Sequence, residues 1–331
     1  MLIRLKVLFT KLKRRKRNNL KVIFLGTSYI SMPSLEGLIA SEHEVIAVIT
    51  QPDRESGRGR KISFSPVKEA ALEHDIKVLQ PEKINTPEFL KELKSLAPDI
   101  FVLVSYAKMI PKALCDIAPY GCINLHPSLL PRYRGSGPIR GPILNGDEAG
   151  GVSIMQIAPE MDAGDIILQQ EIALDPKETL KTYEEKAAKA GALLLLKAIE
   201  SLEAGSAVFT PQDHSKATYL TKVQKSDGLI DFSKPAIEIE RQIRACDPWP
   251  SAFTYLDGRM FKIWEGDVVC EETKKPFGSA VNVTKRSFMI STGCGLLKPV
   301  SVQMEGKKRM SCEEFLRGYK LKEDTVFGKQ S

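Results

Sequence analysis

The chain has 331 residues, of which 43% are hydrophobic, and a formal net charge of +7. This length and hydrophobic content are enough for two domains with separate cores. Its six cysteines form no Cys-x-x-Cys pair and have no flanking histidines, which argues against a disulfide framework and against a metal site. We therefore expect reduced thiols in a cytosol-like compartment and no bound metal.

The first 20 residues form a basic extension. They contain eight lysines and arginines and no acidic residue. Their apolar stretches are too short and too charged for a signal sequence or a membrane span, and they lack the serines of a targeting peptide. A solvated extension, or a start assigned too far upstream, is therefore favoured over a targeting peptide for residues 1–20, and we expect no association with a membrane.

Strands alternate with helices after this extension. Strands are predicted at Lys21–Gly26 and Glu44–Ile49, with a helix from Ser31 to Ser41 between them, and this alternation predicts a parallel sheet. The first turn, Gly26-Thr27-Ser28, lacks the second and third glycines of Gly-x-Gly-x-x-Gly. A dinucleotide cofactor is therefore not supported, although the start of the chain is Rossmann-like.

A basic loop follows the second strand and contains Arg58, Arg60 and Lys61 beside two glycines. Most charge clusters of this kind are solvated turns. Here the glycines permit close backbone approach, and the planar guanidinium groups suit phosphate oxygens. The loop also lies at the edge of the predicted sheet where ligands bind. These features favour phosphate contact over a solvated turn.

The most informative segment is Asn124-Leu125-His126-Pro127. Strands predicted at 99–104 and 121–125 place Asn124 and His126 near the C-terminal end of a buried strand. Residues two apart on an extended backbone point the same way. An amide can bind an oxyanion and an imidazole can move a proton near pH 7, which favours acyl transfer. On these residues alone, a capped strand end with a satisfied histidine remains an alternative.

The last third of the chain has a different pattern. A long amphipathic helix is predicted from about Glu178 to Leu202, and residues 206–218 are predicted to be a linker. Short runs bounded by turns then predict a small β-barrel, with Trp249 and Trp264 in its core and junction. These runs are Ala252–Leu256, Met260–Trp264, Ala280–Val283, Phe288–Ser291 and Leu296–Val302. Asp257-Gly258 is a predicted hairpin turn, and Ser311 to Glu314 is a capping box.

Residues 121–135, 137–139 and 161–165 together resemble the 10-formyltetrahydrofolate-dependent formyltransferases. In that family an Asn, a His and an Asp form the catalytic trio, which implies catalytic roles for Asn124, His126 and Asp162. The family's Ser-Leu-Leu-Pro segment contacts the folate. The resemblance therefore implies 10-formyltetrahydrofolate as formyl donor, and folate contact by Ser128, Leu129, Leu130 and Pro131.

Two further regions indicate which amine accepts the formyl group. Residues 51–68 resemble the substrate loop of those family members that formylate methionyl-tRNA. Residues 227–232, 241–250 and 306–311 resemble the RNA-binding domain of the same members. The resemblance, which runs from about Lys21 to Gly328, implies tRNA contact by six basic residues. These are Arg58, Arg60, Lys61, Lys307, Lys308 and Arg309.

We therefore expect an α/β enzyme with a Rossmann-like parallel-sheet formyltransferase domain and a C-terminal OB-like β-barrel domain. The predicted boundaries are 1–20 for the extension, 21–205 for the catalytic domain, 206–218 for the linker and 219–331 for the tRNA-binding barrel. The implied reaction transfers formyl to the α-amino group of methionyl-initiator tRNA for translation initiation. We expect a monomer in the bacterial cytoplasm rather than in the mitochondrial matrix.

Two other functions are compatible with parts of the sequence. A formyltransferase acting on a nucleotide sugar or on glycinamide ribonucleotide would use the same trio, but it would leave the basic loop and the basic barrel unexplained. A non-catalytic tRNA-binding or folate-binding protein would keep the basic loop, but it would not need an intact Asn124, His126 and Asp162.

Overall fold

The structure, a computed structural model, describes residues 19–56 and 61–328. These residues divide into two compact units. Unit 1 comprises the described residues as far as His126 together with Ile154–Leu168 and Ala188–Gln212. Unit 2 comprises Pro127–Ser153, Gln169–Ala187 and the described residues from Asp213 onward. The predicted extension lies outside the described residues except for its last two positions, and the predicted domain boundaries stay a prediction.

The described residues form strands and helices with the following bounds. The strands are β1 (Lys21–Gly26), β2 (Glu44–Ile49), β3 (Arg54–Ser56), β4 (Lys61–Ser63), β5 (Lys77–Leu79), β6 (Ile100–Val104), β7 (Cys122–His126), β8 (Arg134–Gly135), β9 (Ala149–Gln156), β10 (Ile166–Ala173), β11 (Tyr219–Leu220), β12 (Ala252–Leu256), β13 (Arg259–Val269), β14 (Ala280–Val281), β15 (Met289–Ser291), β16 (Leu296–Met304) and β17 (Met310–Ser311). The helices are α1 (Met32–Ile39), α2 (Pro66–Glu73), α3 (Pro87–Ser95), α4 (Lys112–Cys115), α5 (Gly141–Asn145), α6 (Leu180–Glu203), α7 (Ala236–Ala245) and α8 (Cys312–Gly318).

Unit 1 is built on a sheet whose strand order is β10-β9-β7-β6-β1-β2-β5. The pairings β1–β2, β1–β6, β2–β5 and β6–β7 are all parallel. Strand β9 ends within unit 1 and β10 begins within it. Strands β1 and β2 have the predicted bounds. The predicted parallel-sheet α/β domain is confirmed.

Helix α6 packs closely against β7 within unit 1. A Cβ atom placed on Gly191 of α6 would lie 2.6 Å from Leu125 Cδ1, which is closer than two carbon atoms can approach without displacement. Leu125 itself is buried. The glycine therefore lets the helix backbone approach the strand that carries Asn124 and His126.

Unit 2 contains a curled antiparallel sheet with the order β12-β13-β16-β15-β14, and β17 pairs with β16. Four phenylalanines fill its core: the Phe261 ring lies 5.1 Å from Phe315 and 5.5 Å from Phe327, and Phe288 lies 5.6 Å from Phe327. Such close aromatic pairs add to the free energy of apolar burial. The sheet is consistent with the predicted OB-like domain.

Local signals in this sheet agree with the sequence analysis, but the tryptophans do not. Asp257 and Gly258 have φ angles of 49° and 70° and join β12 to β13 as a hairpin turn. The Ser311 capping box is present at the start of α8. The tryptophans were assigned to the barrel core and its junction, and neither is a buried core residue: Trp249 is 55% exposed, and Trp264 is only partly buried. Trp264 instead contacts Lys262 and Arg309, since its ring offers a negative face to cations.

Among the described helices, none combines the length and the apolar character that crossing a membrane requires.

Replacing Gly191 by valine tests the contact between α6 and β7. We expect Gly191→Val to lower the free energy of unfolding by about 1–3 kcal/mol, because the added methyl groups overpack a buried contact. Urea unfolding followed by circular dichroism measures the change. Gly37→Ala is the control, since a Cβ at Gly37 in α1 would meet Leu196 at an ordinary 3.6 Å. Equal free energies of unfolding for Gly191→Val and the parent would show that α6 does not pack tightly against Leu125 at this position.

Candidate active site

Strand β7 presents two polar side chains near its C-terminal end. Asn124 is 7% exposed and His126 is 4% exposed. Asn124 is in register with Leu103 of β6, so its backbone is held by a parallel ladder. The amide nitrogen of Asn124 is a hydrogen-bond donor, and its position near the C-terminal end of the strand makes Asn124 a candidate donor to substrate.

Asp162 lies beside His126 in unit 1. Asp162 Oδ1 is 3.7 Å from His126 Nδ1, and the two side chains are 16% and 4% exposed. The distance between these two atoms is longer than a direct hydrogen bond. The structure therefore places the Asp162 carboxylate next to one ring nitrogen of His126, and Asn124 lies two residues before His126 on β7. In a neutral imidazole one ring nitrogen carries the proton and the other accepts a hydrogen bond, so the two nitrogens of His126 have different chemical roles.

The loop that carries Asp162 is held by a residue that the sequence analysis missed. Gln212 is 6% exposed, and its Nε2 donates hydrogen bonds to the carbonyl oxygens of Asp162 (2.8 Å) and Gly164 (2.7 Å). Both bonds are shielded from water, so each would leave a buried carbonyl unsatisfied if lost. Gln212 belongs to the segment predicted to be a linker, and no local pattern in that segment signals this role.

Backbone geometry explains the residues that follow Asp162. Asp162 has a φ of 51°, in the left-handed region that aspartate tolerates better than most residues. A Cβ on Gly164 would lie 1.9 Å from the carbonyl oxygen of Gln156 in β9. Only glycine permits that approach, which lets Gln156 N donate to Asp165 O at 2.9 Å. The Asp162-Ala163-Gly164-Asp165 motif is thus a tight turn against β9.

Three buried polar groups near the C-terminal ends of unit 1 strands have no hydrogen-bond partner among the described residues. They are Thr27 Oγ1 after β1, Gln51 Nε2 after β2 and Tyr106 OH after β6. Burial raises the pKa of Tyr106 to about 12, so its hydroxyl is a neutral donor at pH 7. The loops after β1 and β6 meet through a 2.7 Å hydrogen bond between Ser28 and Ser105. Sequence reasoning missed these groups because nothing in the sequence marks an unsatisfied hydroxyl.

The Ser128–Pro131 segment lies in unit 2 and is fixed by a hydrogen-bond network. Ser128 Oγ donates to the carbonyl of Arg132 at 2.7 Å, and Ser153 Oγ donates to the carbonyl of Ser128 at 2.6 Å. Gln169 Nε2 donates to Leu130 O at 2.9 Å. The side chains of Ser128 and Leu130 are buried, whereas Leu129 and Pro131 are partly exposed. Leu129 and Pro131 are therefore the members of this segment available to a ligand.

The predicted basic loop is described only in part. Strand β3 pairs with β4, and Arg58 and Arg60 lie outside the described residues. The backbone of Lys61 begins β4. Asp53 anchors the base of the hairpin, since it accepts hydrogen bonds from Lys68 and Gln80 that lower its pKa. The loop therefore starts from a fixed point beside β2.

Lys307, Lys308 and Arg309 lie on the exposed turn between β16 and β17 of unit 2. Arg309 Nε donates to Ser301 Oγ at 2.8 Å, and its guanidinium lies 5.3 Å from the ring centre of Trp264. The structure thus places the three residues on one turn with their charges open to solvent.

Metal ligation has little support in this part of the chain. Within residues 19–56 and 61–328, no three or more His, Cys, Asp and Glu side chains come together in a group that could hold a metal ion.

Comparison with known proteins identifies the family. A sequence model of formyl transferase matches residues 20–199, and a model of the formyl transferase C-terminal domain matches residues 222–320. The chain belongs to the formyl transferase family. Similar proteins include methionyl-tRNA formyltransferase from Lachnospira eligens, 43% identical over 93% of this chain and 100% of its own length. The same enzyme from Desulfotalea psychrophila is 42% identical over 94% of this chain and 96% of its own length.

Solved structures share this family's fold at lower identity. An N-formyltransferase from Helicobacter canadensis, in complex with folinic acid and dTDP-3-aminofucose, matches with a TM-score of 0.63 and 22% identity. The match covers 85% of this chain and 99% of that protein. A likeness at this identity establishes the fold alone.

Gln212→Leu tests the contact that holds the Asp162 turn. We expect a loss of about 1–3 kcal/mol in the free energy of unfolding, because the carbonyls of Asp162 and Gly164 lose their buried donor while the side-chain volume is kept. Thermal or urea unfolding measures this loss. Hydrogen exchange should show faster exchange at residues 162–165. Gln170→Leu, at an exposed position of β10, is the control. Unchanged exchange at 162–165 in Gln212→Leu would show that the turn does not depend on Gln212.

Proposed function

We propose that this chain transfers the formyl group of 10-formyltetrahydrofolate to the α-amino group of methionyl-initiator tRNA, which yields N-formylmethionyl-tRNA for translation initiation. The match to methionyl-tRNA formyltransferases at 39–43% identity over about 93% of the chain supports formylation of methionyl-tRNA. The observation that carries the chemistry is the 3.7 Å contact between His126 and Asp162, two residues along β7 from the buried Asn124.

The reaction places a negative charge on the formyl oxygen. The methionyl amine attacks the formyl carbon, so a new carbon–nitrogen bond forms while the carbonyl oxygen becomes an oxyanion. Asn124 and His126 donate hydrogen bonds to that oxyanion, and preorganised donors of this kind stabilise the transition state more than the ground state. No covalent bond to the enzyme is needed, because the amine is itself the nucleophile.

The second half of the reaction requires one proton to move. The attacking amine loses a proton and the leaving N10 of the folate gains one, as the bond between N10 and the formyl carbon breaks. Asp162 takes part in this relay together with His126 or a bound water. Holding donor and acceptor together also removes entropy from the barrier, an effect of roughly 7–11 kcal/mol in well-oriented reactions.

The remaining assignments extend the same proposal. We assign folate contact to the segment Ser128–Pro131 and tRNA contact to the basic hairpin and to the turn after β16. The tRNA-contact residues are Arg58, Arg60, Lys61, Lys307, Lys308 and Arg309. Phosphate contacts of this kind set the position of the RNA and do not specify its sequence. We also propose that the protein acts as a monomer in the bacterial cytoplasm.

The alternative acceptors have weaker support. The solved sugar N-formyltransferases are about 22% identical, whereas the methionyl-tRNA enzymes match nearly the whole chain at about twice that identity. Offering this protein 10-formyltetrahydrofolate with charged initiator tRNA, glycinamide ribonucleotide or an amino-sugar nucleotide decides among them. Formylation of either alternative, with methionyl-tRNA left unmodified, would refute the proposed acceptor.

Asn124→Ala tests the oxyanion contact. We expect kcat to fall by about 10²–10³, because the amide donor acts mainly in the transition state. Folate affinity, measured by fluorescence titration, should change little. Asn85→Ala is the matched control, since Asn85 is an exposed asparagine in the same unit. Turnover of Asn124→Ala within a few-fold of the parent would remove Asn124 from the mechanism.

The double variant Lys307→Ala/Lys308→Ala tests the tRNA contact of unit 2. We expect the KM for methionyl-tRNA to rise, and the dependence of tRNA binding on salt to become shallower, because fewer counterions are released. Steady-state kinetics at several salt concentrations measure both. Lys285→Ala, at an exposed position between β14 and β15, is the control. The same salt slope in the double variant and the parent would exclude phosphate contact by this turn.

A further inference from the structure

Two cysteines of unit 1 lie together next to the strand that carries Asn124 and His126. Cys115 is the last residue of α4 and Cys122 is the first residue of β7. A turn reverses the chain between them, with Gly121 N donating to Ala118 O at 2.9 Å. Gly121 has a φ of 65°, and a Cβ on it would lie 4.0 Å from the carbonyl oxygen of Cys115. The turn therefore brings the backbone of Cys115 close to the residue that precedes Cys122.

The pair differs from the other cysteines in access and in chemistry. Cys115 is partly exposed and Cys122 is buried, and both line a cavity of about 510 Å³ in unit 1. The hydrogen bond from Cys122 lowers the pKa of Cys115, and the same contact together with burial raises the pKa of Cys122. Thiolate character and access together make a cysteine reactive toward oxidants. Cys115 combines a lowered pKa with partial exposure, and Cys122 lines the same cavity.

We propose that Cys115 and Cys122 are a redox-active pair, which a peroxide oxidises to an intramolecular disulfide, and that this bond slows the reaction at Asn124. The site is absent from the proposed formyl-transfer mechanism. The first part of this proposal, disulfide formation, does not depend on the proposed function, whereas the effect on the rate of formyl transfer rests on that function.

The chemistry balances in two steps. The Cys115 thiolate attacks one oxygen of hydrogen peroxide, so that a sulfur–oxygen bond forms and the oxygen–oxygen bond breaks. The sulfur becomes a sulfenic acid, and the hydroxide released takes up a proton as water. The Cys122 sulfur then attacks the Cys115 sulfur and gives up its proton. A sulfur–sulfur bond forms, the sulfur–oxygen bond breaks, and a second water leaves.

The position of Cys122 connects the bond to the active site. Cys122 and Asn124 are two residues apart in β7 and therefore point the same way from an extended backbone. The carbonyl of Cys122 accepts a 2.9 Å hydrogen bond from Ile157 N at the end of β9. A disulfide requires a specific geometry of both Cβ atoms. Closing it moves the start of β7, and the ladder transmits that movement to Asn124.

The experiment uses the full chain with its exposed cysteines replaced, Cys270→Ser/Cys294→Ser, as parent. The protein is treated with hydrogen peroxide, unfolded in alkylating reagent and digested with trypsin. We expect the peptide from Ala113 to Arg132 to lose two hydrogens and to resist alkylation until dithiothreitol is added. Adding Cys115→Ser should abolish this product, and Cys122→Ala should leave Cys115 oxidised without a disulfide.

Activity is measured on the same samples. We expect kcat for formyl transfer to fall at least threefold in the oxidised parent, to recover with dithiothreitol, and to resist peroxide in Cys115→Ser. Two free thiols after peroxide, or conversion of Cys115 to sulfinic acid without a disulfide, would overturn the pair. A disulfide with unchanged kcat, or equal peroxide inhibition of Cys115→Ser, would overturn the link to Asn124. The mass measurement detects the disulfide without any enzyme activity, so a failure of the proposed function can be distinguished from a failure of the disulfide.

Discussion

The parallel ladder between β6 and β7 is the constraint on which the active site depends. It holds the β7 backbone extended, and an extended backbone points Asn124 and His126 the same way. A slip of one residue in this register would turn both side chains to the opposite face of the sheet. The close approach of Gly191 to Leu125 opposes such a slip, because Leu125 is enclosed on the side away from the catalytic pair. The geometry of the site is therefore a property of the core.

Asp162 is positioned by a different kind of constraint. It lies on a loop and in the left-handed region of backbone conformation, which costs a non-glycine residue of order 1–3 kcal/mol. The two hydrogen bonds from Gln212 offset that cost and fix the carboxylate near His126. A loop held in this way gives a precise position without a regular element. Of the three candidate catalytic residues, Asp162 is thus held by a glutamine side chain, and Asn124 and His126 are held by a strand.

The sequence predicted the parts of the structure that have a short-range signal. Strands β1, β2 and β12 have the predicted bounds because runs of apolar residues between turns are local patterns. The spacing of Asn124 and His126, together with Asp162, predicted a catalytic trio, and the roles of these three residues stay predictions. Gln212 could not be predicted, since its partners lie about 50 residues earlier in the chain. The burial of Trp249 was mispredicted for a related reason, because the size and apolar character of a side chain do not reveal which side of a turn faces water.

The place of Gln212 in the chain has a consequence for exchanging parts between family members. The first family model ends at residue 199 and the second begins at residue 222. The interval between them is therefore the natural place to join halves of two different family members. Gln212 lies inside that interval but belongs to unit 1 through Asp162 and Gly164. A chimera joined before Gln212 would take Asp162 from one parent and the glutamine that holds its turn from the other. A junction placed after Gln212 takes Asp162 and Gln212 from the same parent sequence.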